Sequence, residues 1–253
     1  MSLDNRPCTC VDRPLPPSLR ADVGDRRATP WYARPDGARG VALTNALWIP
    51  GQTIRLAFLR GGKPPGGDSS IVERRIQSAA KAWAEHANLT FQWVEGAAAI
   101  RISFEDAGSW SYIGTTCLEH PEGSTMNFGW LSSDLDESSF RAVVLHELGH
   151  ALGMIHEHQS PAAGIDWNHD AVYEYYDGPP NHWSRTEVEH NLFSAYDATV
   201  TQFSAYDSQS IMAYPIPAEH LSSGDPVGWN TELSDGDKAF IASLYPYPPT
   251  HST

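Results

Sequence analysis

Between Val143 and His156 the chain carries two histidines four residues apart, a glutamate directly after the first, and a third histidine beyond a glycine. Residues four apart on an α-helix share one face, so the imidazoles of His146 and His150 converge on one point. Glu147 projects near that point without having to ligate. At Gly153 the chain must leave the helix sharply, and glycine adopts the left-handed dihedrals such a turn needs. Without that break His156 would point away from the shared face. With it, three neutral imidazoles approach a zinc ion at about 2.0–2.1 Å and leave a fourth position for water. The short pattern H-E-x-x-H also describes two exposed histidines beside a surface glutamate, but the extension H-E-x-x-H-x-x-G-x-x-H is far more specific. The chemistry it spells is hydrolysis, with water activated by the ion and Glu147 as its base.

Those groups need elements to hold them. Residues 1–44 are rich in Pro, Arg and Asp without periodicity, and Arg13-Pro14-Leu15-Pro16-Pro17 favours an extended chain. They read as an N-terminal arm or a pro-segment. Within them Cys8, Cys10 and Asp25 are able to offer a thiolate or carboxylate to a metal as a latency device, but a solvated tail with incidental Cys and Asp explains them better. From 45 onward one domain is expected to run to 253. Its upper lobe covers about 45–156 and its lower lobe about 157–253. Thr53–Leu59 alternates as a strand does, and a helix follows from about Ser70 to Ala87, capped by Asp68 or Ser69. Strands are expected at 91–94 and 99–104, in a strand–helix–strand order that implies a mostly parallel sheet. Two more are expected at 110–114 and 125–130. The His146 helix starts near Asp136 or Glu137, where its dipole favours negative charge. Residues 157–232 read as largely irregular, with one helix near 170–176. Phe193-Ser194-Ala195-Tyr196-Asp197 recurs as Phe203-Ser204-Ala205-Tyr206-Asp207, a local echo rather than a repeat fold. Ser234 with Asp237 forms a capping-box pattern that opens a final helix.

The bulk numbers narrow the partners. Acidic residues outnumber basic ones 31 to 17, a net charge of −14 that repels nucleic acids and anionic membranes. No apolar run is long enough for a membrane span. The first residues lack the apolar core of a signal peptide. Three cysteines, Cys8, Cys10 and Cys117, are too few for a disulfide framework.

His146 to His156 resembles the zinc-binding signature of the metzincin metallopeptidases. Ser210-Ile211-Met212-Ala213-Tyr214 is similar to that family's tight turn, which places a methionine beneath the zinc. Glu157 after the third histidine, Tyr214 two residues after Met212, and Trp110-Ser111-Tyr112-Ile113-Gly114 resemble the astacin branch. The closing Leu233-Ser234 and Leu244-Tyr245-Pro246 are similar to matrixins instead. The chain departs from astacins at Ala213, where they usually carry His, at His158-Gln159-Ser160-Pro161, where they carry an Arg-containing segment, and in its few cysteines.

The resemblance implies an α+β, two-lobed metzincin-like fold: a mixed five-stranded sheet with two long helices, then a mostly irregular lobe ending in a helix. It implies one catalytic Zn2+ on His146, His150 and His156, with Glu147 as general base. Tyr214 would ligate zinc at rest or swing to the oxyanion, and Met212 would form an apolar floor. Trp110, Ser111, Tyr112 and Pro215 are candidate cleft residues. His158, His169, His182, His190 and His220 have no place in the motif and read as surface residues. The expected partners are protein or peptide substrates met by a monomer, and the resemblance implies secretion. Two further readings share these residues: a catalytically idle peptide-binding relative, against which the intact Glu147 argues, and a toxin or effector protease of narrow specificity.

Overall fold

A computed structural model describes residues 39–249 apart from 62, 65, 106, 107, 180, 197 and 200. The described chain enters through a short strand, β1 (Val41–Leu43), with all three side chains buried. Along β2 (Thr53–Phe58), Ile54 and Leu56 face the core while Thr53 and Arg55 face water, as alternation requires. The Gly/Pro loop that follows ends at Asp68, whose side chain accepts from Ser70 N at 2.8 Å and starts α1 (Ser69–Ala84). Val72, Ile76, Ala79, Ala80 and Trp83 recur every three or four residues of α1, and all are buried.

α1 is the crossover that lets β3 (Thr90–Trp93) lie parallel to β2, and β4 (Ile100–Ser103) pairs with the other side of β2, again parallel. With β5 (Ser109–Ser111) and β6 (Met126–Phe128) the sheet has the order β3-β2-β4-β6-β5. β6 is parallel to β4, and β5 closes the edge antiparallel to β6. Asp136 accepts from Ser139 N at 2.9 Å and caps α2 (Glu137–Ala151). Phe140, Val143, Val144, Leu145 and Leu148 bury this helix on nearly every side. Each large apolar side chain contributes about 1.5–3 kcal/mol on leaving water, so α2 is fixed by packing rather than by propensity. Trp83 joins the two helices, its Nε1 donating to Leu145 O at 2.9 Å beside the first candidate ligand.

The second lobe contains α3 (His169–Asp177) and the one-turn α4 (Arg185–Val188), which runs into a single π turn over Glu189–Phe193. Then come β7 (Thr201–Phe203) and α5 (Asp235–Leu244). β7 pairs antiparallel with β1, Val41 opposite Phe203. α5 returns to the first lobe, where Phe240, Ile241 and Leu244 join the core that holds α1 and α2. Tyr245 Oη seals the joint by donating to Leu152 O at 2.6 Å. Among the described residues no helix is long and apolar enough to cross a membrane.

The expected elements are present, with shorter edges. The expected strand at 110–114 is β5 and stops at Ser111, because a 3-10 turn begins at Gly114. The one at 125–130 reduces to β6. The helix at 70–87 ends at Ala84. The lower lobe holds more structure than its polarity suggested: Ser184 and Glu187 form a second capping box at the start of α4. The two copies of Phe-Ser-Ala-Tyr-Asp begin in different settings, one in the π turn and the other at the end of β7. The echo is therefore not a structural repeat. Cys8, Cys10 and Asp25 lie outside the described residues.

Candidate active site

α2 delivers His146 and His150 one turn apart, and the chain then has to reverse. Gly153 does this at φ +95°, a conformation that side chains other than hydrogen rarely adopt. A Cβ there would stand 2.7 Å from Leu47 Cδ2 as well. The exit is held on both sides by β1, since Leu43 N donates to Gly153 O at 3.0 Å and Ile155 N donates to Val41 O at 3.1 Å. His156 follows directly. Its Nε2 lies 3.1 Å from His150 Nε2 and 3.2 Å from His146 Nε2.

Those contacts are not ordinary hydrogen bonds. His146 Nδ1 faces Ile211 O at 2.8 Å, and His150 Nδ1 faces Met154 O at 3.0 Å. A carbonyl only accepts, so each Nδ1 carries the proton and each neutral ring turns an Nε2 lone pair inward. Lone pairs facing one another at this range call for a cation between them. Tetrahedral ligands about 2.0–2.1 Å from zinc sit roughly 3.3–3.4 Å apart, close to the spacing here. The ligand atoms of all three lie within 4.8 Å of one another. The residues present fit zinc, and the Nδ1–carbonyl bonds are the outer contacts that usually fix a ligand's tautomer and orientation.

The floor is a turn from Ser210 to Ala213, closed by Ala213 N donating to Ser210 O at 3.0 Å. Met212 is fully buried in it, and its backbone O accepts from Glu157 N at 3.0 Å, which ties the floor to the third histidine. A Cβ on Gly149 would stand 2.3 Å from Met212 Sδ and 3.3 Å from Trp83 Cζ2. The helix thus needs glycine between the ligands so that the thioether can pack beneath them. Glu157 is buried as well, one oxygen accepting from Asp207 N at 2.9 Å. Burial, with Asp237 and Asp207 close by, pushes its carboxyl up to about 8 despite that bond.

Tyr214 packs its ring 4.3 Å from that of His156 and 6.2 Å from that of His146. His158, expected at the surface, is buried with its ring 4.7 Å from Tyr214 and its Nε2 donating to Asn191 O at 2.8 Å. His220, also expected outside, is buried beside Tyr175 and Tyr176. In both cases aromatic neighbours from distant segments cover the imidazole. Glu147 is buried and, with His146, borders an open pocket. Pro215 is among its lining residues, as are Ala142 and Val143 of α2. Ser109, Trp130, Trp229 and Asn230 line it too, and sequence reasoning did not select them. Trp229 is exposed, and a tryptophan set in the polar stretch Gly228-Trp229-Asn230-Thr231 was a signal that the sequence offered. Trp110 and Ser111 are buried in the edge strand β5, and Tyr112 stacks on His120 at 4.1 Å, so none of the three borders this pocket.

A family model described as Astacin, a peptidase family, matches residues 67–245. The chain belongs to the astacin family of peptidases. Myroilysin is similar to it over 83% of this chain and 100% of its own, at 42% identity and a TM-score of 0.78. High choriolytic enzyme 1, a hatching enzyme zinc-protease of the medaka Oryzias latipes, shares the fold at 18% identity and a TM-score of 0.52, over 88% of this chain and 98% of its own. Matrix metalloproteinase-2 of Drosophila melanogaster is 30% identical over 177 residues, which is 58% of this chain. The chain spans 23% of that relative's length. Astacin membership accords with the α+β two-lobed class, the three-histidine cluster and the zinc-dependent hydrolase chemistry that the motif implied.

Proposed function

We propose that the chain is a zinc-dependent endopeptidase that binds one zinc ion through His146, His150 and His156 and hydrolyses peptide bonds in protein or peptide substrates. The observation that carries the reading is three inward-facing Nε2 atoms, two of them fixed by Nδ1–carbonyl bonds, beside a buried glutamate at the edge of an open pocket.

Bound there, zinc supplies a Lewis acid that polarises the scissile carbonyl and brings the pKa of water near neutrality. Glu147 follows His146 on α2 and takes the proton of the attacking water, then passes it to the leaving amine. Tyr214 donates its hydroxyl proton as a hydrogen bond to the developing oxyanion, the kind of aimed donor that acyl transfer needs. Met212 keeps the floor apolar and soft, so the imidazoles have no competing polar neighbour below them. Pro215, with Ala142 and Val143 of α2, receives the side chain after the scissile bond.

The test uses the purified chain, a quenched-peptide library and casein, with metal content measured in parallel. One zinc per chain, cleavage abolished by a chelator and restored by zinc, and a Glu147→Ala variant that keeps its zinc but cuts nothing are expected. Stoichiometric zinc without cleavage of any peptide would sink the peptidase reading and leave the peptide-binding relative. A wild-type chain that takes up no zinc would overturn the metal site itself.

A further inference from the structure

Asp237 is fully buried at the third position of α5, far in sequence from every candidate ligand. Its Oδ2 accepts from Ser234 N at 2.9 Å, and this bond alone is the return half of a helix capping box. Capping does not require burial, and the other two bonds have nothing to do with α5. Oδ1 accepts from Ser210 Oγ at 2.6 Å and Oδ2 accepts from Ile211 N at 2.8 Å. Both partners belong to the turn beneath the histidines. With its O–H directed to Asp237, the Ser210 hydroxyl accepts from Met212 N at 3.0 Å. One carboxylate therefore organises consecutive backbone groups of that turn.

The chain of contacts continues to the metal site. Ile211 is held at its N–H by Asp237, and its carbonyl is the acceptor for His146 Nδ1. Moving an ionised carboxylate out of water is costly unless its lone pairs are filled, which makes this arrangement stiff: neither Asp237 nor the turn can shift without stranding the other. We propose that Asp237 is a positioning residue for the metal site, holding Ile211 so that its carbonyl fixes the ring orientation and tautomer of His146. The proposal rests on the zinc reading above and extends it to a residue that touches neither metal nor substrate.

The experiment compares Asp237→Asn with Ser234→Ala in the full chain. Asparagine keeps the shape but turns an amide N–H2 toward donors that need an acceptor. Ser234→Ala removes a cap bond of α5 and the hydroxyl's bond to Asp207 Oδ2, and leaves both bonds from Asp237 to the turn. Zinc dissociation constants are measured by competition with a chromophoric chelator, below the melting temperature of each variant. Asp237→Asn is expected to weaken zinc binding about 10- to 100-fold, the usual effect of losing an outer contact to a ligand. It is expected to lower kcat while KM stays within about twofold. In zinc-free protein with 15N-labelled histidine, the His146 Nδ1–H proton should exchange faster with solvent. Ser234→Ala should lower the melting temperature and leave all three readouts near wild type. Should Asp237→Asn not fold, Ser210→Ala, which removes one donor of the network, carries the test with a smaller zinc effect in the same direction. Wild-type zinc affinity in the folded Asp237→Asn or Ser210→Ala chain would overturn the proposal, as would equal weakening by Ser234→Ala. A wild-type chain that binds zinc but cuts no peptide would refute only the peptidase reading, because the affinity and exchange readouts would still decide on Asp237.

Discussion

Adding one methyl group at Gly149 tests whether the floor of the site is set by close packing. In a helix interior alanine is favoured over glycine by about 1 kcal/mol, so the substitution should stabilise the chain if only propensity mattered. Here the new Cβ would meet Met212 Sδ at 2.3 Å and Trp83 Cζ2 at 3.3 Å, and both neighbours are fully buried. Trp83 is tied to Leu145 O, so Met212 must yield within a core that is already filled. Overpacking of a filled core costs about 1–3 kcal/mol. Offset by propensity, Gly149→Ala should lose roughly 0–2 kcal/mol rather than gain about 1. The cleaner measure is a double-mutant cycle with Met212→Ala, which alone should cost about 2–5 kcal/mol through its cavity. The extra methyl then occupies space that Met212 vacates, so the double variant should be less destabilised than the sum by at least about 1 kcal/mol. Urea titrations of zinc-free protein give the four stabilities. A Gly149→Ala chain more stable than wild type, or strict additivity in the cycle, would refute the packing argument.

Three more outcomes are expected. Tyr214→Phe should lower kcat by about 100- to 1,000-fold if the hydroxyl meets the oxyanion, with KM and zinc content unchanged in steady-state assays of the loaded enzyme. Gly153→Ala should destabilise through both the positive φ and the Leu47 contact. It should also weaken zinc binding because His156 follows the turn, which chelator competition reads. For Glu157, burial raises the folded carboxyl to about 8 from an ordinary 4.5, so its contribution to stability is fully present below about 4.5 and is lost as pH rises through 8. Melts of zinc-free wild type and Glu157→Gln should therefore diverge in favour of the variant between pH 5 and pH 8, by at most about 1.4 kcal/mol per pH unit. Parallel curves would remove Glu157 as the cause.

Legibility followed locality. The ligand helix, its glycine exit, α1 and the cap of α5 are written in spacings of three to six residues, where helical geometry leaves few choices. The parallel order followed from strand–helix–strand succession. What stayed hidden depends on segments far apart in sequence. Asp237 read as a helix cap because its other partners, Ser210 and Ile211, come from a different part of the chain. His158 read as surface because polar residues surround it in sequence, whereas in space Tyr214 and Asn191 cover it. Gly149 offered a signal that was passed over: a glycine inside a helix carries a cost and asks for a reason, and Met212 is that reason. The cleft was half visible, since Pro215 follows the methionine turn directly while Trp229 and Asn230 reach it from an irregular stretch.

The pairing of β1 with β7 bears on how much of the chain a working fragment must keep. β1 fills the slot between β7 and the backbone that carries the chain from Gly153 to His156, and it bonds to both. A recombinant piece cut to begin at Thr53 would retain every histidine and the glutamate yet leave that backbone with water on one side and β7 as an open edge. The smallest fragment able to load metal should therefore start ahead of Val41, outside the stretch that carries any chemistry.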